Sequence, residues 1–173
     1  MRNETSVKTK ALELSPPERL GEQHRTEQFD CGVASINEYL SEKALKAQSA
    51  KHAVVYAVCF KGTKDVAAYY TLSNSAIERR YGSSAKIRRN APELLPVTVL
   101  GRMGVTQQAQ GRGLSLALMA DAIERSLQAS HAVGSVALIV HPLNIDLKEF
   151  YEKKCGFTPC PDLSPLTLML PLS

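Results

Sequence analysis

The apolar positions of this chain follow two periods, and the change from one to the other marks its elements. Residues 53–60 and 66–72 are dense in β-branched and aromatic side chains, and Lys61-Gly62-Thr63-Lys64-Asp65 between them predicts an antiparallel hairpin. Residues 8–14 alternate enough for a short first strand, which Ser15-Pro16-Pro17 ends. Residues 97–105 and 166–170 read as further strands, and residues 136–140 form the near-continuous apolar run expected of a strand covered on both faces. Helical spacing occurs three times. Ile36, Leu40, Ala44 and Ala47 share one face of a helix that starts near Ser35, where Ser35 and Glu38 have the spacing of a capping box, after the turn Phe29-Asp30-Cys31-Gly32. Leu116, Ala120, Ile123 and Leu127 predict a second helix running to about Ser130 with that stripe inward, and Gly134 ends the turn after it. A third helix follows Asn144, with Leu147, Phe150 and Tyr151 inward and Gly156 as its left-handed end.

No internal repeat, low-complexity tract or linker interrupts this order, so residues 1–173 read as a single α/β domain with mixed strand directions. A hydrophobic content of 44% in 173 residues supports one sizeable core. No run of about 18 apolar residues is available to span a bilayer, and the polar start MRNETSVKTK lacks the apolar stretch of a signal peptide. The expectation is a cytoplasmic protein with no membrane partner. Cys31, Cys59, Cys155 and Cys160 contain no CxxC pair, which predicts reduced, mostly buried thiols, and His24, His52 and His131 show no metal spacing, so no metal is expected.

The net charge of +4 is unevenly spread. Arg79, Arg80, Lys86, Arg88 and Arg89 lie between Glu78 and Asn90 in a segment that also holds Gly82, Ser83 and Ser84, which reads as a basic, partly flexible excursion from the fold. Two readings stand for it: a solvated face, or a grip on nucleic-acid phosphates.

The most informative stretch joins the strand at residues 97–105 to the second helix through Gln110-Gly111-Arg112-Gly113-Leu114-Ser115. Small residues at a helix start leave backbone N–H groups facing outward, where they and the helix dipole favour an anion. A P-loop needs Gly-Lys before Ser or Thr, and no Gly-Lys pair occurs; a Rossmann loop needs a third glycine where Leu116 stands. A bland alternative is a connection whose glycines serve only the backbone.

The spacing of Gln110, Gly113 and Ser115 resembles the acetyl-CoA pyrophosphate loop of the GNAT acetyltransferases. Asn144, Leu147, Phe150, Tyr151, Gly156 and Phe157 look like that family's signature around its last helix. Phe29-Asp30-Cys31-Gly32, Tyr69-Tyr70-Thr71-Leu72-Ser73, Arg88-Arg89-Asn90, Pro96-Val97 and Leu100-Gly101-Arg102 resemble the TacT-like GNAT toxins of bacterial toxin-antitoxin modules. The resemblance implies a GNAT fold, with a mixed, mostly antiparallel sheet splayed at the acetyl-CoA site and flanked by helices. It also implies an enzyme that acetylates the α-amino group of aminoacyl-tRNA and so blocks translation. A ribbon-helix-helix antitoxin as partner and a homodimer come with it. Two positions depart from the family: Ser115 stands where Gly or Ala is usual, and Met103-Gly104-Val105 replaces Leu-Ala-Val, with Gly104 expected to loosen the strand.

The reaction implied is attack of a neutral amine on the acetyl thioester. Backbone N–H groups of Gly111, Arg112, Gly113, Leu114 and Ser115 are expected to hold the pyrophosphate, with charge from Arg112, and the edge formed by Met103, Gly104 and Val105 to pair with the pantetheine arm. Tyr151 is the candidate general acid, because a phenol stays protonated at neutral pH and can donate to a thiolate; the alternative is a core aromatic with a backbone partner for its hydroxyl. Asn144 has two readings, a cofactor hydrogen bond or a helix cap. No Asp or Glu occurs between Pro96 and Gln110. An α-amine of pKa near 8 is roughly a tenth neutral at pH 7, against less than about one in a thousand for lysine, so the missing carboxylate favours an α-amine acceptor whose proton water can remove. His141 is the candidate base among side chains, with a structural role as its rival. Two further readings remain: a GNAT enzyme acting on a protein N-terminus or small amine, and a GNAT fold that binds without turnover.

Overall fold

The computed structural model describes residues 13–173. The predicted first strand at residues 8–14 lies outside them except for its end, where Leu14 makes an antiparallel bridge to Phe60. Among the described residues seven strands form one sheet in the order β1-β2-β3-β4-β5-β7-β6: β1 (Glu18–Arg19), β2 (Val54–Cys59), β3 (Val66–Glu78), β4 (Leu94–Val105), β5 (Ala137–Val140), β6 (Thr158–Pro159) and β7 (Leu168–Pro171). The expected hairpin is β2–β3. Every pairing is antiparallel except β4–β5, which is parallel because α4 (Leu114–Ala132) crosses between those strands. The other α-helices among the described residues are α1 (Ala34–Glu38), α2 (Ala44–Ser49), α3 (Ala85–Arg88) and α5 (Ile145–Cys155).

Alternation along the strands sorts the core into faces. Tyr70, Leu138 and Val140 point to the side covered by α4 and α5, where they meet Leu118, Met119, Ala122 and Tyr151. Tyr69, Val55 and Ala57 point to the other side, under Ile36, Tyr39, Leu40 and Ala44. On that same side Ala137 and Ile139 join Leu95, Val97, Cys160 and Met169. β5 is buried at all of its positions, as its sequence predicts.

Ser35 is not the helix cap that its spacing predicts. The N-cap of α1 is Val33, which offers no side-chain hydrogen bond, and Asn37 serves the turn instead by accepting from the Cys31 N–H at 2.9 Å. Between α1 and α2 the helix passes through one π-helical stretch, Tyr39–Lys43. The apolar positions Ile36, Leu40 and Ala44 recur every four residues, wider than the 3.6 of an α-helix, and the wider turn keeps all three buried on one face.

The inward stripe of α4 also differs from the expected one. Leu118, Met119, Ala122 and Ser126 are buried, whereas Leu116 is 46% exposed and Ala120 is exposed. Apolar residues occupy most of this helix's circumference, so hydrophobic spacing does not fix its rotation. Polar anchors do: the Tyr70 hydroxyl donates to Asp121, Arg125 pairs with Asp121 at 2.8 Å, and the Arg125 guanidinium lies 4.1 Å from the Tyr56 ring centre. Ser126 is tolerated inside because its hydroxyl bonds back to the Ala122 carbonyl at 2.7 Å.

Nor is the basic segment a loose excursion. Ser84 caps α3 by accepting from the Ile87 N–H, Arg79 Nη1 donates to the Ala91 carbonyl at 2.7 Å, and Arg88 Nη1 donates to the Gly82 carbonyl at 2.6 Å. Ile87 and Ala91 pack on the cluster around Leu95 and Val97. All four cysteines are free; Cys59 and Cys160 are buried, Cys31 and Cys155 half-buried.

Candidate active site

The sheet opens in the middle of β4. Val97 to Leu100 pair in parallel with Ala137 to Val140, and there the β5 ladder ends. β4 continues to Val105, paired on its other edge, with Met103 opposite Tyr70 and Gly104 opposite Tyr69. At the parting point Gly101 and Arg102 together face Thr71, one residue against two, and the Thr71 hydroxyl oxygen accepts the Arg102 N–H at 3.1 Å. Such a bulge increases local twist and turns the strand away from its neighbour. The opening is a cavity of about 520 Å³ walled by Met103, Gly104 and Val105 on one side and by α5 on the other.

Gly104 is held closely rather than loosely. A methyl built on it would stand 2.7 Å from Ile36 Cγ2 and 3.1 Å from Phe29 Cζ, so the missing side chain lets α1 pack directly on the strand. Sequence alone reads this glycine as slack, whereas the fold uses it as clearance.

The glycine-rich turn leads from the end of β4 into α4. Gly111 and Gly113 have φ of 75° and 77°, left-handed values that suit glycine, and nothing stands near either Cα on the outward side. Gly113 is the N-cap of α4 and supplies no side-chain cap, so the N–H groups of Leu114, Ser115 and Leu116 start the helix without an intrahelical acceptor. Arg112 is exposed beside them, and Ser115 reaches the cavity wall. Gln110 acts as a clamp, because its Nε2 donates to the Val105 carbonyl at 2.8 Å and to the Cys31 carbonyl at 3.1 Å, tying the turn to the end of β4 and to the loop before α1.

Tyr151 lies across the cavity on α5, its ring between Phe150 and Phe157 with centroids 5.6 and 5.7 Å away. Its hydroxyl has no hydrogen-bond partner among the described residues, which removes support for the rival core-aromatic reading. Burial, with a smaller contribution from Cys155, pushes the phenol up to about 12, so it is a proton donor throughout the neutral range. The helix that presents it is fixed at both ends. Asn144 Oδ1 accepts the Leu147 N–H at 2.9 Å, the capping geometry, and Gly156 closes the helix at φ 80°.

Met103, Gly104, Val105, Ser115 and Tyr151 therefore meet at one cavity, while Gln110, Gly111, Arg112, Gly113 and Leu114 form the turn beside it and Asn144 acts as a helix cap. Arg102, Ser35 and Ile36 also line the cavity and are not among the sequence candidates. Arg102 lies 3.9 Å from the Tyr39 ring centre, a stacking contact that the separation of 63 positions hides in the sequence. The basic segment does not reach the cavity. Arg79 and Arg88 donate to backbone carbonyls and exposed Arg80 pairs with Glu78 at 2.6 Å, leaving Lys86 and Arg89 as the exposed cations of that segment with no partner among the described residues. Elsewhere Glu18, His24 and Cys59 bring ligand atoms within 4.8 Å of one another, but His24 Nδ1 accepts the Gly21 N–H and its Nε2 hydrogen donates to Glu18, so both ring nitrogens are in use.

The acetyltransferase (GNAT) family profile matches residues 84–157, the stretch that contains the split strand, the glycine turn and α5. A tRNA-acetylating toxin of Mycobacterium tuberculosis is 33% identical over 139 residues, 79% of this chain and 81% of the toxin. The chain belongs to the GNAT acetyltransferase family. Among solved structures, AtaT complexed with acetyl-methionyl-tRNAfMet aligns with a TM-score of 0.85 at 29% identity, over 92% of this chain and 95% of AtaT. A Tyr-to-Phe mutant of AtaT bound to the C-terminus of the antitoxin AtaR and acetyl-CoA aligns at 0.77 with 28% identity, over 92% and 93% of the two chains. As a GNAT N-acetyltransferase, the chain has the mixed, mostly antiparallel, helix-flanked sheet that its sequence resemblance implies.

Proposed function

We propose that this GNAT enzyme is the toxin of a toxin-antitoxin module and transfers acetyl from acetyl-CoA to the α-amino group of aminoacyl-tRNA, which blocks translation. One observation carries the reading: the uncapped N-terminus of α4, through Ser115, and Tyr151 on α5 both reach the cavity that opens where β4 parts from β5, and no carboxylate among the described residues lines it. The likeness to a tRNA-acetylating toxin and to AtaT with acetyl-methionyl-tRNAfMet supports it.

Each part of the site has a role in that reaction. N–H groups of the glycine turn and the α4 dipole bind the pyrophosphate, and exposed Arg112 adds charge. The edge of Met103, Gly104 and Val105 that β5 leaves unpaired receives the pantetheine amides as a strand would, and an N–H there faces the oxyanion. Tyr151 gives its proton to the departing thiolate. Lys86 and Arg89 contribute to holding tRNA phosphates, while Arg79, Arg80 and Arg88 shape the segment that carries them.

Around this chemistry we place a ribbon-helix-helix antitoxin that neutralises the enzyme, a homodimer as the active assembly, and the cytoplasm as the compartment. The AtaT complex with AtaR supports an antitoxin partner, and no helix among the described residues is long and apolar enough to cross a membrane. Incubating the protein with a charged tRNA pool and labelled acetyl-CoA, followed by mass spectrometry of the aminoacyl ends, tests the proposal. N-acetylated aminoacyl-tRNA is expected; label found only on proteins or small amines would replace it.

A further inference from the structure

The proposed reaction assigns no side chain to one proton, the one that the attacking amine must lose. Among the described residues three side chains with ionisable groups line the cavity, Arg102, Tyr151 and His141. The Arg102 guanidinium offers only donors, and Tyr151 is kept neutral by burial. His141 follows Val140, the last residue of β5, and Val140 pairs with Leu100 immediately before β4 parts from β5. The imidazole therefore stands at the apex of the opening.

Its orientation is set from behind. His141 Nδ1 lies 3.0 Å from the Thr167 hydroxyl oxygen, and that hydroxyl lies 3.0 Å from the Pro165 carbonyl. Thr167 is fully buried and has a single hydroxyl hydrogen. The carbonyl only accepts, so the arrangement that satisfies all three atoms spends the hydrogen on Pro165 and makes Nδ1–H the donor to Thr167. In the neutral ring this leaves the lone pair on Nε2, which has no partner among the described residues. Held by a buried acceptor chain, the histidine presents a proton acceptor rather than a donor.

We infer that His141 is the general base of the acetyl transfer, acting through Nε2, an inference that rests on the reading of the acceptor as an amine. The amine nitrogen forms a bond to the thioester carbon, whose carbonyl electrons move onto oxygen. Nε2 takes one hydrogen from the now cationic nitrogen. The carbonyl re-forms, the carbon–sulfur bond breaks with its electron pair on sulfur, and the Tyr151 hydroxyl protonates that sulfur. The products are the amide and free coenzyme A, and the imidazolium returns its proton to the tyrosinate through solvent, restoring both groups.

The test uses the full-length protein, a methionyl-tRNA acceptor and acetyl-CoA, with acetyl-CoA affinity measured separately by calorimetry. H141A is expected to lower kcat about 100-fold with acetyl-CoA affinity held, and added millimolar imidazole to restore part of the lost rate. H141Q, which fills the ring's volume but takes no proton, is expected to be as slow as H141A. The base assignment is overturned if H141A keeps the wild-type rate, if H141Q regains it, or if imidazole fails to accelerate H141A. A wild-type enzyme inactive on every charged tRNA overturns the substrate reading instead, so the two failures are distinguishable.

Discussion

Gly104 and Ile36 are in direct apposition, with strand backbone against helix side chain, at a distance where an added Cβ would sit 2.7 Å from Ile36 Cγ2. The wall of the cavity and the helix behind it are thus one packing unit. G104A should cost about 1–3 kcal/mol, as overpacking does, and displace Met103 and Val105 enough to weaken acetyl-CoA binding. Thermal unfolding and calorimetric titration of acetyl-CoA measure the two effects; unchanged values in both would contradict the packing seen here.

Replacement of Tyr151 by Phe removes the hydroxyl without changing the ring that packs between Phe150 and Phe157. The kcat for acetyl transfer should fall about 100-fold or more, with acetyl-CoA affinity and melting temperature nearly unchanged. Single-turnover kinetics decides the matter, and a rate near wild type would remove Tyr151 as the acid.

The pH dependence of that acid has a definite sign. Burial penalises the phenolate, raising the Tyr151 titration to about 12, and the active form is the protonated one below it. Alkaline loss of kcat from this group therefore does not begin by about pH 10, where an ordinary phenol is half ionised. A kcat profile that fell by half near pH 9 to 10 would contradict this. The same shift stabilises the fold below pH 10, and that contribution is lost as pH rises through about 12.

Gln110 joins two carbonyls from different parts of the chain, those of Val105 and Cys31. Q110A should lower stability by about 1 kcal/mol and loosen the glycine turn, reducing acetyl-CoA affinity more than kcat. Equal affinity in the variant would show that the turn holds its shape without the clamp.

The cations between Glu78 and Asn90 divide into two groups, and their variants should divide likewise. K86E combined with R89E changes exposed charges only and should lower the salt slope of tRNA binding by about 2 with melting unchanged. R88E breaks the bond to the Gly82 carbonyl and should also lower the melting temperature. An unchanged salt slope in the double variant would place the RNA contact elsewhere.

Why some of this can be read in the sequence and some cannot follows from the range of the forces. The hairpin, the buried β5 strand, the Asn144 cap and the Gly156 terminus depend on neighbours within a few positions, and the sequence displays them. The rotation of α4 depends on Asp121 meeting Tyr70 across 51 positions, and the role of Gly104 on Ile36 and Phe29 far upstream; no local period encodes either. Ser35 and Glu38 have a capping spacing, but the Asn37 side chain bonded to Cys31 holds the turn. In the site, Tyr151 and the glycine turn are visible as motifs, whereas the bulge at Gly101 and Arg102 that opens the sheet, and the Thr167 contact that orients His141, exist only once the strands are paired.

β4 also acts as a ruler. Leu94, where the arginine-bearing segment rejoins the sheet, and Met103 on the cavity wall are nine residues apart along one extended strand, about 30 Å at roughly 3.3 Å per residue. A lone aminoacyl nucleoside is too short to touch both. Any acceptor that gains hold from the far end must be a long, rigid polyanion, so discrimination between a charged tRNA and a free amino acid ester can arise from molecular length before any base is read.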